Sequence, residues 1–95
     1  MQLEWKPMAL EDREAIMEYI AKDNPTAAIA LDDEFEAAAE RACQHPKLYK
    51  RGRIASTHEI VIRHRYLLIY RLTYSHLQVL RVLHTARRWP PVQRR

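Results

Sequence analysis

Four residue types in the second half of this 95-residue chain can carry chemistry: histidine, arginine, tyrosine and a single glutamate. His58, Glu59, His64 and His84 stand among Arg63, Arg65, Arg71, Arg81, Arg87 and Arg88. Such a set contains what metal-free cleavage of RNA requires: a base for the 2′-hydroxyl, an acid for the leaving 5′-oxygen, and cations for the charge that develops on phosphorus. A plainer reading stands beside it. His84 suits the end of a strand with its polar edge in water, and Glu59, alone among so many bases, suits an ion pair with a neighbouring arginine. His45, His58, His64, His76 and His84 share no ligand spacing, and Cys43 has no second cysteine, so neither zinc nor another cofactor is expected.

Charge divides the chain. Residues 1–46 hold eleven acids against four bases, and residues 47–95 hold twelve bases against Glu59 alone, for a net charge of +4. The acids solvate helix faces. The bases gather into a loop, Lys47, Tyr49, Lys50, Arg51 and Arg53, and a C-terminal cluster, Arg87, Arg88 and Trp89, followed by Arg94 and Arg95. Cations beside aromatic rings suit a nucleic acid or an acidic protein segment. Trp89, between arginines and prolines, suits packing on the sheet edge equally well. No apolar run reaches membrane-spanning length and no leader pattern opens the chain, so a cytoplasmic protein without a membrane partner is expected. Cys43 lies among alanines and reads as a small core residue.

The elements that must position these groups follow from periodicity. Leu3–Lys6 reads as a short strand stopped by Pro7. A helix is expected from about Ala9 to Lys22, with Ile16, Tyr19 and Ile20 on its apolar side. Asn24 caps a second helix that opens with Pro25 and runs to about Gln44, and Ala28, Leu31, Phe35, Ala38 and Ala42 form a narrow stripe at 3-4 spacing. Glu59–Arg63, Tyr66–Thr73 and Leu77–Leu83 read as strands. The order is β-α-α-β-β-β, an α+β domain over residues 1–95 with a helical hairpin on one face of a small antiparallel sheet and a flexible tail near 91–95.

With Ser75-His76 as a two-residue turn, Tyr74 faces Leu77 and Leu67 faces His84. One sheet face then holds Tyr66, Leu68, Tyr70, Leu72, Val79, Arg81 and Leu83, and the other Leu67, Ile69, Arg71, Gln78, Leu80, Val82 and His84.

The words Thr57-His58-Glu59-Ile60-Val61, Tyr66-Leu67-Leu68-Ile69-Tyr70-Arg71 and Val79-Leu80-Arg81-Val82-Leu83-His84, then Ala86-Arg87-Arg88-Trp89-Pro90, resemble the RelE/ParE toxin superfamily in order and spacing. The resemblance covers nearly the whole chain. It implies the toxin half of a type II toxin–antitoxin pair, which causes growth arrest and is neutralised in a hetero-oligomeric complex by a small antitoxin whose tail wraps the domain. It also implies one of two targets, DNA gyrase for ParE-type members or ribosome-bound mRNA for RelE-type members. RelE-type nucleases that resemble this chain carry an arginine three residues before the strand tyrosine, and here that position is Leu67. Losing such a cation typically costs about 10²–10³ in rate. The departure favours the gyrase reading. In the nuclease reading His84, Arg81 and Arg65 would be catalytic, while the basic loop, Arg63, Arg71, Arg87, Arg88 and Trp89 would bind target, nucleic acid or antitoxin.

Overall fold

A computed structural model describes residues 1–86. Its elements are β1 (Gln2–Trp5), α1 (Pro7–Ala21), α2 (Pro25–Gln44), β2 (Thr57–Ile62), β3 (Tyr66–Leu72) and β4 (His76–His84). The expected order holds. α1 starts two residues before the expected position, because Pro7 takes the first helical turn instead of ending the strand. Asn24 caps α2 as expected, its side chain accepting from the Ala27 N–H at 3.1 Å. Among the described residues no helix is long and apolar enough to cross a membrane.

The sheet order is β1-β4-β3-β2. β2, β3 and β4 form an antiparallel meander, but β1 lies parallel to β4, from Gln2 opposite His76 to Trp5 opposite Val79. The sheet is therefore mixed where the sequence suggested antiparallel pairing throughout. The two-helix crossover carries the chain from β1 to the far edge, and two hairpin reversals return it beside β1 in the same direction.

The register of the β3–β4 hairpin also differs. Thr73 donates to His76 O at 2.8 Å, so Tyr74-Ser75 is the turn, one residue earlier than expected. Leu72 faces Leu77 and Tyr70 faces Val79, then the register shifts and Ile69 faces Arg81. Leu80 is the extra residue of a β-bulge. Beyond it Leu67 faces Leu83 and Tyr66 faces His84, correcting the expected Leu67–His84 pair. One added residue reverses the faces of the strand end. Val82 joins the core under the helices, and Leu83 joins Leu67, Ile69 and Leu80 in a second apolar cluster on the opposite face.

The main core lies between α2 and the sheet. Ala28, Leu31, Phe35, Ala38, Ala39 and Ala42 of α2 are buried, and alanines let the helix approach closely over Ile60, Leu68, Tyr70, Val79 and Val82. Phe35 meets Tyr66 edge-on at 5.4 Å between ring centroids. α1 is fastened to α2 by Arg13, which donates to both Asp32 oxygens at 2.8 Å and to Glu36 at 2.7 Å. The same guanidinium lies 4.2 Å over the Trp5 ring, so one side chain joins β1 and both helices.

Candidate functional site

The helical hairpin does not cover the sheet completely. Between α1, α2 and the end of the meander a groove of about 910 Å³ opens. Its apolar wall includes Ile16, Tyr19 and Ile20 of α1 and Leu31 of α2, and its sheet side is made by Arg63, Arg65, Tyr66 and His84. Ile16, Tyr19 and Ile20 fall at helical spacing as expected, yet Tyr19 is 75% exposed. They line a groove as well as a core. Periodicity marks which face is apolar and not what finally covers it.

The bulge at Leu80 brings His84 here. Its ring meets Tyr66 edge-on at 5.4 Å, and its Nδ1 accepts the Ala86 N–H at 3.1 Å. Arg65 is held by its backbone, whose carbonyl accepts the Thr85 N–H at 2.6 Å. Arg63 and His64 occupy the tight turn between β2 and β3 with φ of 54° and 58°, closed by the Arg65 N–H to Ile62 O at 3.2 Å. Ile62 pairs with Tyr66, so the link is three residues long, and its first two hold a left-handed conformation that side chains disfavour. Arg63 also pairs with Glu34 of α2. No carboxylate lines this groove among the described residues.

Arg81 does not join His84 and Arg65. It reaches the open edge of β4 beyond β1 and binds both oxygens of Asp12, at 2.8 and 3.0 Å. These bonds hold it protonated above even the ordinary arginine range. Arg71 is exposed and donates to Gln78 at 2.7 Å. Leu67, where the resemblance to RelE-type nucleases implies an arginine, is 4% exposed inside the second apolar cluster.

The basic loop forms a separate surface. Arg51 bridges to His58, extending the sheet past β2, and Lys47, Lys50, Arg51 and Arg53 are exposed. Tyr49 packs against the main core. Glu59 is buried beneath the loop, and its Oε2 accepts the Arg53 N–H at 3.0 Å, while Oε1 has no hydrogen-bond partner among the described residues. Gly52 leaves no room for a side chain unless Thr57 moves, because a Cβ would stand 2.3 Å from Thr57 Oγ1. His58 stacks on Tyr70 at 5.0 Å, and burial followed by the charge of Arg51 lowers its pKa. Arg87, Arg88 and Trp89 lie outside the described residues.

The sequence reading missed Asp12 as a partner of Arg81 and Glu34 as a partner of Arg63. Both acids looked like solvated helix residues, and no local pattern ties position 12 to position 81. Among the described residues no group of three or more His, Cys, Asp or Glu is placed to hold a metal ion.

Comparison with known proteins agrees with this architecture. Residues 3–89 match the family described as the ParE toxin of the type II toxin–antitoxin system parDE. The chain is 32% identical over 92 residues to the toxin-like protein Y4kP of Sinorhizobium fredii, covering 96% of this chain and 95% of that protein. It is 31% identical over 88 residues to toxin RelE2 of Caulobacter vibrioides, covering 90% of this chain and 97% of the relative. A solved chain from the chromosomal ParDE toxin–antitoxin system of P. aeruginosa superposes with a TM-score of 0.78 at 18% identity, covering 88% of this chain and 95% of that one, a likeness of fold. The chain is a member of the ParE toxin family of type II toxin–antitoxin systems.

Proposed function

We propose that this ParE-family chain arrests growth by binding DNA gyrase, through protein–protein contact and without a catalytic step of its own, until a cognate antitoxin sequesters it. The carrying observation is that the candidate cleavage groups do not all converge: His84 and Arg65 line one groove, while Arg81 does not join them. Arg81 is committed to Asp12, and Leu67 is sealed in an apolar cluster where a RelE-type nuclease would need a cation. That leaves His84 beside Arg63 and Arg65 without a second imidazole or a carboxylate lining the groove among the described residues, so the acid–base pair is incomplete there. Contact inhibition requires only surface, and the apolar groove with its arginine rim and the basic loop both provide it. A cytoplasmic place of action follows from this target.

A second reading, cleavage of mRNA in the ribosome, is favoured by one arrangement: His84, Arg65 and Arg63 line the same groove. An RNA chain seated there would meet an imidazole and two guanidinium groups, with His84 as acid or base.

The two readings separate in one experiment. Purified chain is added to a gyrase supercoiling and DNA-cleavage assay and, in parallel, to programmed ribosomes. Blocked supercoiling or trapped gyrase–DNA complexes, with intact mRNA, is the expected result. Cuts at codon positions that vanish in His84→Ala would establish the nuclease reading instead.

A further inference from the structure

One arginine on the open face of the sheet is aimed by its neighbours. Glu4, Gln78, Arg71 and Thr57 stand opposite one another in a row across the sheet. Tyr70 and Val79, adjacent to this row, belong to the main core, so by strand alternation the row faces away from the helices. Gln78 donates from Nε2 to Glu4 at 2.8 Å, and its Oε1 accepts from Arg71 Nε at 2.7 Å. An ionised Glu4 can only accept, so it fixes which end of the Gln78 amide meets Arg71. The relay uses Nε alone. Both terminal amino groups of the exposed Arg71 have no hydrogen-bond partner among the described residues. Beyond β2, Lys50–Gly52 is held in line with the sheet by the Glu59 N–H to Lys50 O at 3.1 Å and the Gly52 N–H to Thr57 O at 2.8 Å. Alternation puts Lys50 on the same face as Arg71. Lys47 and Arg51 are exposed in the same loop, and Tyr74, in the turn after β3, is fully exposed.

From this we infer that the end of the sheet carrying Lys47, Lys50, Arg51, Arg71 and Tyr74 is a contact surface for the phosphate backbone of duplex DNA, bound without regard to sequence. These four cations form no ion pair among the described residues, whereas Arg13, Arg63 and Arg81 are each taken by helix carboxylates. Glu59, the only acid of residues 47–95, is 2% exposed and offers them no partner at the surface. Lysine is depleted at the centre of protein–protein contacts, while lysine, arginine and tyrosine all bond to phosphate oxygens. A pre-aimed guanidinium with both terminal amino groups open suits the bidentate geometry of phosphate. One fully exposed ring is too few for the stacked rows that hold single strands, and the acidic helices offer no basic face to a groove. The surface also lies apart from the groove at Tyr66, since Arg71 stands roughly 17 Å further along β3. The inference rests on the gyrase reading for its setting, because gyrase holds duplex DNA as it acts, and it adds a DNA contact to the protein contact proposed above.

The test is fluorescence anisotropy of a short labelled DNA duplex titrated with the 95-residue chain, between about 50 and 200 mM salt. Binding is expected with a dissociation constant of roughly 10⁻⁴–10⁻⁶ M at physiological salt, and with a log–log salt slope of about −3 for three or four neutralised phosphates. Arg71→Gln and Lys50→Gln each weaken binding and make the slope shallower by about 1. Gln78→Leu keeps every charge and still weakens binding several-fold, because the guanidinium is no longer aimed. Lys22→Gln, the same charge change on an exposed residue at the end of α1, leaves the slope as it was. All four are exposed or partly exposed side chains, and an unchanged thermal midpoint confirms that each variant is folded. No binding at low salt, equal losses in Lys22→Gln and Arg71→Gln, or full affinity in Gln78→Leu would overturn the assignment. Tighter binding to an RNA duplex of the same sequence, or to a polyglutamate peptide, would also overturn it. Neither gyrase nor a ribosome is present, so this result and the target assay fail separately.

Discussion

Asp12 holds Arg81 with both carboxylate oxygens and also accepts the Val82 N–H at 2.9 Å, so one α1 side chain closes the end of β4 that β1 leaves unpaired. Both side chains are largely buried, at 12% and 17% exposure. The contact converts a candidate catalytic arginine into a structural one. It also ties α1 directly to the sheet.

Removing the acid should therefore cost more than a surface ion pair. Asp12→Ala leaves a largely buried guanidinium and a backbone N–H unpaired, and a loss of roughly 2–4 kcal/mol is expected. Urea denaturation checks this through the midpoint at unchanged slope. Arg81→Met, which keeps the volume and removes the charge, should cost less than Asp12→Ala. Equal or smaller loss for Asp12→Ala would mean that the pair is solvated and that Arg81 is free for another role.

The contact of Gly52 with Thr57 predicts a coupled pair. Gly52→Ala should lower stability by roughly 1–3 kcal/mol, because the new methyl overlaps the Thr57 hydroxyl and the loop must move. Thr57→Ala also has a cost, since its hydroxyl donates to Ile54 O at 2.6 Å. In the double variant the overlap is gone, so the measured loss should fall below the sum of the two single losses by at least about 0.5 kcal/mol. Strict additivity in a double-mutant cycle would show that the loop adjusts freely.

Much of this arrangement is legible in the residues, and the failures have definite causes. The stripe from Ala28 to Ala42 identifies the buried face of α2 because alanine and leucine recur at helical spacing with acids between them. Tyr66, Leu68 and Tyr70 share one face of β3 by strand geometry, but Leu67 and Ile69 between them are apolar and buried too, so the run marks a strand covered on both faces and does not single out the one under the helices. Nor is the end of β4 readable. Nothing in Val79-Leu80-Arg81-Val82 marks a bulge, since all four residues suit a regular strand, and one extra residue moves His84 from the open face to the groove. Turn length is equally obscure in Tyr74-Ser75-His76, where no glycine or asparagine singles out a turn type. The Asp12–Arg81 pair depends on the parallel placement of β1 beside β4, which is a property of the whole topology and not of either segment.

His58 supplies a local pH probe. Burial, then the charge of Arg51, lowers its pKa, so the ring should titrate below the unperturbed value near 6.5 when followed by NMR. For a base with a depressed folded pKa, the unfolded chain takes up the proton first on acidification. Stability from this residue is thus full above the unfolded value and declines as pH falls from there through the folded value. Arg51→Ala should move the titration upward towards the ordinary value without restoring it fully, because the larger cause, burial against Tyr70, remains. A normal or raised His58 pKa would contradict the stacked, enclosed geometry.

Tyr70 acts at the other end of the pH scale. Burial, with a smaller contribution from Tyr49, pushes its phenol up to about 12, and its hydroxyl donates to Pro46 O at 2.7 Å. In the unfolded chain the phenol ionises near 10. Between those values the unfolded state releases a proton that the folded state keeps, so stability must fall as pH rises. The loss is on the order of 2 kcal/mol across that window. Tyr70→Phe should lose about 1 kcal/mol at neutral pH, for the missing hydrogen bond, and should show a shallower decline from pH 10 to 12. Ultraviolet difference titration would see one phenol fewer in the late-ionising class. If the variant keeps the full alkaline decline, another group is responsible and the link from β3 to the start of the basic loop through Pro46 is weaker than its geometry indicates.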